Sequence, residues 1–242
     1  MSVLEKAVSV IEVLGRADGP LRLGAIADAT MLPKSSLHRL LAELSVHGLV
    51  HRVGEGQYSL GHRLVHWGQL ADSSFGLQDV ARPIMSSLRD EVAESVYLYV
   101  PEVDHRVCVL AVDAPHQVRP VAMVGRPLPL GYGSGGKILF AHAVPAIQAR
   151  VTAMTPTWRG CALPGPEEVD RIRREGWASS SGEMEEGLVA VSARIDGPGG
   201  TVVGALTIAS VESRTPPERL VGMLPLVTRA AAEISASLVR AA

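Results

Sequence analysis

The sequence predicts two parts of different class: a mostly α N-terminal unit that closes with a hairpin, and a longer α+β unit after it. Three observations carry this. Apolar residues recur at helical spacing up to His47. A glycine-bounded pair of short extended runs follows between Leu49 and Leu60. From Ser95 onward the chain changes to runs rich in β-branched residues. A chain of 242 residues, 47% of them hydrophobic, is long enough for two such domains.

The N-terminal elements follow in order. Leu4, Ala7, Val8, Ile11 and Leu14 mark one face of a first helix over Val3 to Arg16, which Asp18-Gly19-Pro20 breaks. A short second helix spans Arg22 to Ala29, with Leu23, Ile26 and Ala27 inward. After the tight connection Thr30-Met31-Leu32, Pro33 suits the first turn of a third helix, where its missing N–H costs nothing. That helix runs to His47, buries Leu37, Leu40, Leu41 and Leu44, and stops at Gly48. Two extended runs, Leu49 to Val53 and Gln57 to Leu60, flank Gly54-Glu55-Gly56 and read as a hairpin. Residues Leu64 to Leu77 read as a linker helix. The expected division is therefore 1–62, a linker over 63–78, and 79–242.

In the second part a helix is expected over Asp79 to Asp90. Strands are expected at Ser95 to Val100, Arg106 to Val112, Val118 to Val124, Leu188 to Ile195 and Val202 to Ala209. Helices fit near Lys137 to Ala143, at Pro166 to Glu175 and after Pro216-Pro217. The last carries Leu220, Met223, Leu224, Val227, Ala231, Ile234 and Leu238 on one face, with Pro225 forcing a kink or a late start. Strands and helices do not alternate regularly, which argues against a doubly wound parallel sheet.

Composition narrows the function. The net charge is −2, so any nucleic-acid surface must be a local patch. Two cysteines, Cys108 and Cys161, form neither a metal motif nor a disulfide framework, and a reducing compartment fits. The first residues lack the features of a secretion signal, and no apolar run approaches membrane-spanning length, so a soluble cytoplasmic protein is expected. His62 and His66 lack the glutamate of a zinc-protease helix, and Ser179, Ser180 and Ser181 lack a nucleophile-elbow frame. No catalytic residue, metal site or cofactor is expected.

The third helix is the candidate docking element. Its apolar stripe faces a core, and its opposite face near the N-terminus carries Lys34, Ser35, Ser36, His38 and Arg39. An α-helix fits the major groove with its first turns at the base edges. Between residues 31 and 53 three basic side chains, Lys34, Arg39 and Arg52, face one acidic one, Glu43, whereas residues 1–62 as a whole balance to zero. Arg22, at the start of the second helix, adds a further candidate for a DNA contact. So weak a charge favours two such units acting together on a double-stranded operator, as a homodimer or a dimer of dimers.

Here a resemblance enters. The run Leu32-Pro33-Lys34-Ser35-Ser36-Leu37-His38-Arg39-Leu40-Leu41, with Gly48-Leu49-Val50 and Tyr58-Ser59-Leu60-Gly61, resembles the winged helix-turn-helix of the IclR family of bacterial transcription regulators. Arg174-Glu175-Gly176-Trp177-Ala178 with Ser181-Gly182-Glu183 and Gly187, and Leu128-Pro129-Leu130 leading to Gly135-Gly136-Lys137, are similar to that family's effector domain. The resemblance implies a GAF-like second domain with a curved antiparallel sheet and a small-molecule pocket. It places Leu128, Leu130, Ser134, Gly135, Ala190, Thr207 and Ala209 at pocket-lining positions and Glu183 at the rim. Ala190 and Ala209 stand where polar-effector members have small polar residues, which points to a partly apolar acid, carboxylic or aromatic.

Gly131 to Lys137 also fits a phosphate-loop spacing, but Ile138 stands where a magnesium-binding hydroxyl is needed, and the preceding prolines exclude a central strand. Two explanations of the glycines stay open. Backbone N–H groups can approach an anion there, or Gly133 to Gly136 simply make a turn and a helix start. Glu183, Glu185 and Glu186 read as a solvated loop. The expectation is an effector-responsive DNA-binding regulator, with the linker helix carrying a population shift to the recognition helices. A metabolic enzyme with a helical interaction module, or a sensor whose winged helix binds protein, remain the alternatives.

Overall fold

The computed structural model describes residues 1–54, 56–73 and 76–241, and the chain divides into two compact units, Met1–Phe75 and Gly76–Ala242.

In the first unit α1 (Val3–Gly15) opens on a capping box: the Glu5 N–H donates to the Ser2 hydroxyl, and the Ser2 N–H donates to the Glu5 carboxylate at 2.6 Å. Its inward stripe is Ala7, Val10, Val13 and Leu14, while Leu4 and Val8, expected inward, are exposed. Both stripes satisfy the helical period. Packing against α2 (Leu23–Thr30) selects the first. Met31, in the left-handed region, turns the chain toward α3 (Lys34–Val46). Pro33 caps that helix in an extended conformation instead of opening its first turn, and its carbonyl accepts from the Leu37 N–H.

The wing is a three-stranded antiparallel sheet in the order β1 (Leu21–Arg22), β3 (Gln57–Leu60), β2 (Val50–Val53). Strand β1 is too short to leave a periodic signal. Gly54 and Gly56 flank the hairpin tip with positive φ, and Glu55 lies outside the described residues. Val10, Leu14, Ile26, Leu37, Leu41, Val50 and Tyr58 form the core. Helix α4 (His62–Ser73) begins two residues before the expected linker helix, whose residues 74 and 75 lie outside the described ones. His62 and His66 on it are exposed.

The second unit is built on a six-stranded antiparallel sheet. In chain order its elements are α5 (Leu77–Val92), β4 (Ser95–Glu102), β5 (His105–Val112), β6 (Pro127–Pro129), α6 (Gly133–His142) and α7 (Pro145–Met154). Then come the small hairpin β7 (Thr157–Trp158) and β8 (Cys161–Ala162), α8 (Pro166–Glu175), β9 (Trp177–Ser181), β10 (Leu188–Asp196), β11 (Val202–Val211), α9 (Pro217–Val221) and α10 (Leu224–Ala241). The sheet order is β6-β5-β4-β11-β10-β9. It is a curved half-barrel, with register breaks at Leu98/Tyr99 and Ile195/Asp196.

Both faces of the sheet are covered, which is why its strands read as nearly unbroken apolar runs. Val96, Leu98, Val189, Val191, Leu206 and Ile208 pack against α5, α9 and α10. Tyr97, Tyr99, Cys108, Ala205 and Ala209 face α6, α7 and α8. Helix α8 has the expected bounds. Helix α10 takes the late start, with Pro225 in its first turn.

The expected strand Val118 to Val124 is absent. Those residues form an irregular loop, with Val118, Val121, Met123 and Val124 exposed. Pro120 removes a ladder donor, and the loop is instead tied by side chains: Tyr97 donates its hydroxyl to the Pro120 carbonyl at 2.5 Å and Arg214 donates to the Val118 carbonyl at 3.0 Å. Strand β9 and helix α7 were not expected, and β6 is an edge strand, as its two prolines require.

Glu94, just before β4, ties the start of that strand to the turn that follows its neighbour β11. Arg214 donates to both its carboxylate oxygens, at 2.8 and 2.7 Å, and the Thr215 hydroxyl donates at 2.9 Å. Burial pushes its pKa up, but the hydrogen bonds from Arg214, Thr215 and Ser210 outweigh it and hold the carboxyl below its ordinary value. Its contribution to stability is therefore complete above the usual glutamate range and is lost as the pH falls through the depressed value. Glu94→Gln is expected to lower unfolding stability by about 1–3 kcal/mol at neutral pH and by less under acid conditions, measured by urea denaturation across pH.

Candidate functional site

In the first unit the exposed surface of α3 gathers five of the expected residues. Lys34, Ser35, Ser36, His38 and Arg39 are all exposed, while Leu37, Leu40, Leu41 and Leu44 hold the opposite side in the core. Among the described residues none of Lys34, Arg39, Arg22 and Arg52 is the donor of a side-chain hydrogen bond. Arg22 pairs across the ladder with Gln57, and Arg52 with Tyr58. Gln57 and Tyr58 are adjacent on β3, so the pleat directs Arg22 and Arg52 to opposite faces of the wing. The sheet thus does not present both arginines on one surface.

In the second unit a cavity of about 480 Å³ opens between the sheet, the first turn of α6 and the 119–123 loop. Its floor comes from cross-strand pairing: Ala190 opposite Ala209, and Ser192 opposite Thr207, on the face away from α10. Six of the expected pocket residues line it, namely Leu128, Ser134, Gly135, Ala190, Thr207 and Ala209. Leu130 does not. β6 ends at Pro129 and Gly131 turns the chain at φ 87°, so Leu130 leaves the strand alternation and is buried in the core beside Leu139. Glu183 also stands back from the cavity wall, and its role is internal. It accepts the Gly133 N–H at 2.9 Å and pairs with Lys137 at 2.6 Å.

These bonds decide between the two explanations of the glycine loop. The amide of Gly133 is held by Glu183, the amide of Ser134 by the Ser180 hydroxyl at 3.0 Å, and Lys137 also reaches Glu168. The anion at this helix start belongs to the protein. Close packing accounts for the glycines themselves: a Cβ on Gly136 would overlap the Arg106 guanidinium, and one on Gly133 would come within 2.8 Å of Met184. Glu185 and Glu186 are exposed, as expected of a loop.

Polar groups reach the cavity in an ordered chain. The Ser134 and Ser192 hydroxyls are 2.7 Å apart, and Ser192 and Thr207 are again 2.7 Å apart, all three buried. Arg106, on β5 opposite Leu128, lines the same wall with its guanidinium 4.8 Å from the Tyr99 ring. Arg119, Arg126 and Arg159 also line it; Arg119 pairs with Asp113 and Arg159 with Glu185, which leaves Arg126 and Arg106 without a carboxylate partner among the described residues. This excess of arginine favours an anionic occupant. Ser192, Arg106 and the tyrosines escaped the sequence reading. The available signal for Arg106 was a lone charge opening an otherwise apolar strand. Among the described residues no group of three or more His, Cys, Asp or Glu gathers as a metal site, and no helix is long and apolar enough to cross a membrane.

Comparison with known proteins fits both units. Residues 3–54 match the IclR helix-turn-helix domain, and residues 69–236 match the bacterial transcriptional regulator IclR C-terminal domain. The chain belongs to the IclR family. Among curated IclR-family members it is similar to the transcriptional regulator KipR of Bacillus subtilis, 28% identical over 89% of this chain and 88% of that one. It is also similar to the transcriptional repressor IclR of Escherichia coli, 25% identical over 96% and 88%. A solved IclR homologue from Microbacterium hydrocarbonoxydans, complexed with 4-hydroxybenzoate, superposes with a TM-score of 0.82 at 25% identity, covering all of both chains. The DNA-binding helix-turn-helix and the α+β effector domain with its curved sheet are thus those of an IclR-family transcriptional regulator.

Gly136 and Arg106 are expected to be coupled. Gly136→Ala should destabilise the second unit by about 1–3 kcal/mol through overpacking, and the loss should shrink when Arg106 is also replaced by alanine. Denaturant melts of the two single variants and the double variant measure the coupling.

Proposed function

We propose that this IclR-family chain is a sequence-specific regulator, and not an enzyme, whose affinity for a double-stranded operator is set by a small organic acid bound in the 480 Å³ cavity. The observation that carries the reading is the cavity itself. An alanine-lined floor with one hydroxyl chain suits a ligand with an apolar body, and Arg106 and Arg126, which have no carboxylate partner among the described residues, suit a negative end. The 4-hydroxybenzoate bound by the Microbacterium homologue has both features, which supports a carboxylic or aromatic acid here.

On the DNA side, Lys34 and the helix start of α3 engage phosphate, while Ser35, Ser36, His38 and Arg39 face base edges. Their joint exposure on one helix supports this. Arg52 and Arg22 act on different sides of the wing. The unit's weak charge favours a homodimer or dimer of dimers working in the cytoplasm on paired half-sites. The acid shifts the population between DNA-binding arrangements only as far as it binds one of them more tightly.

Binding to the DNA upstream of its own gene, followed by fluorescence anisotropy, tests this. Log affinity should fall linearly with log salt, and Lys34→Ala should reduce the slope by about one. Absent binding, or binding indifferent to salt, refutes the assignment of α3 to DNA.

A further inference from the structure

One buried cation in the cavity wall has no anion of its own. Arg106 is 2% exposed, and a guanidinium keeps its charge even when buried. Burial lowers its pKa from the ordinary value. Glu183, whose charge it feels, is committed to Lys137 and to the Gly133 N–H. Dipoles and the Tyr99 ring are what compensate Arg106 among the described residues.

Its donors are unequally used. Nη1 donates to the carbonyl oxygens of Tyr132 and of Pro129, the latter at 3.2 Å. Nη2 reaches only the thioether of Met184, at 3.6 Å, and sulfur is a weak acceptor. Nε is buried with no partner. Nε and Nη2 share one side of the guanidinium, the side whose two parallel N–H groups fit both oxygens of a carboxylate. Gly133 keeps a side chain of its own out of that side, where a Cβ would lie 3.2 Å from Nη2, so Met184 is what fills it. Met184 is unbranched and readily repacked.

We propose that the Nε–Nη2 side of Arg106 is the anchor for the effector's carboxylate, which takes the place of the Met184 sulfur. The ligand class is then a monocarboxylate whose apolar body lies over Leu128, Ala190 and Ala209. This rests on the cavity being the effector site. Arg106 also fixes the Tyr132 carbonyl at the start of α6, so the anchored acid acts directly on the helix that closes the pocket.

Thermal melts and isothermal titration of the full chain with benzoate, phenylacetate and 4-hydroxybenzoate, each beside its neutral amide, provide the test. At least one acid should raise the Tm while its amide does not. Arg106→Gln should weaken that acid about ten- to a hundredfold, and Arg106→Lys, which keeps the charge without the fork, should fall between. A cooperative melt of Arg106→Gln without ligand checks its folding. If that variant does not fold, the acid–amide contrast in the natural chain decides. The anchor is overturned if no acid binds, if acids and amides bind alike, or if a folded Arg106→Gln retains full affinity. Should an acid release operator DNA equally from the natural chain and from Arg106→Gln, effector control stands and the anchor falls. Should acids bind through Arg106 without altering DNA affinity, the anchor stands and the regulatory reading falls.

Discussion

The close approach of α6 to the sheet is the constraint on which the second unit depends. A helix whose first turn is Gly133-Ser134-Gly135-Gly136 can lie against strands without side chains intervening, and all four residues are buried. That proximity brings Ser134 to Ser192 and Thr207 and leaves a lodging for the Arg106 guanidinium. A larger residue in this turn would lift the helix and open the hydroxyl chain. The cavity is therefore a product of backbone proximity as much as of its lining.

The same turn shows how the protein handles its charges. The helix start attracts an anion, and Glu183 supplies it, with Lys137 and Glu168 completing a small ion network. Arg106, on the other side of the glycines, receives carbonyl oxygens but no carboxylate. One end of the turn is neutralised, and at the other the cation meets carbonyl oxygens and the weakly accepting Met184 sulfur. A buried cation without a carboxylate is costly to stability, and binding an anion beside it would offset that cost.

Much of this was legible in the sequence, for identifiable reasons. Helices with a single apolar stripe and clear punctuation, such as α3 and α8, were found nearly to the residue. On α1 two stripes compete, and only the neighbouring elements choose between them. Val118 to Val124 has the composition of a strand, but Pro120 and the tethers from Tyr97 and Arg214 hold it as a loop. Helix α7 buries only Val151, and β9 is mostly serine, so neither offers an apolar rhythm. Family resemblance gave most of the pocket because Ala190, Thr207 and Ala209 alternate on paired strands. It misplaced Leu130, since Gly131 breaks that alternation, and it did not contain Arg106, whose significance comes from contacts with residues distant in sequence.

The loop that took the place of a strand has a consequence for the history of such a protein. The floor of the cavity is made of ladder residues, where a change in size disturbs the packing of the sheet against α6. The opposing wall, from Arg119 to Met123, hangs on a few side-chain tethers and adds nothing to the ladder. Selection can rewrite that wall while folding is preserved. A lineage built on this scaffold can thus acquire a new chemical signal by altering one short surface segment, keeping its operator and its architecture intact.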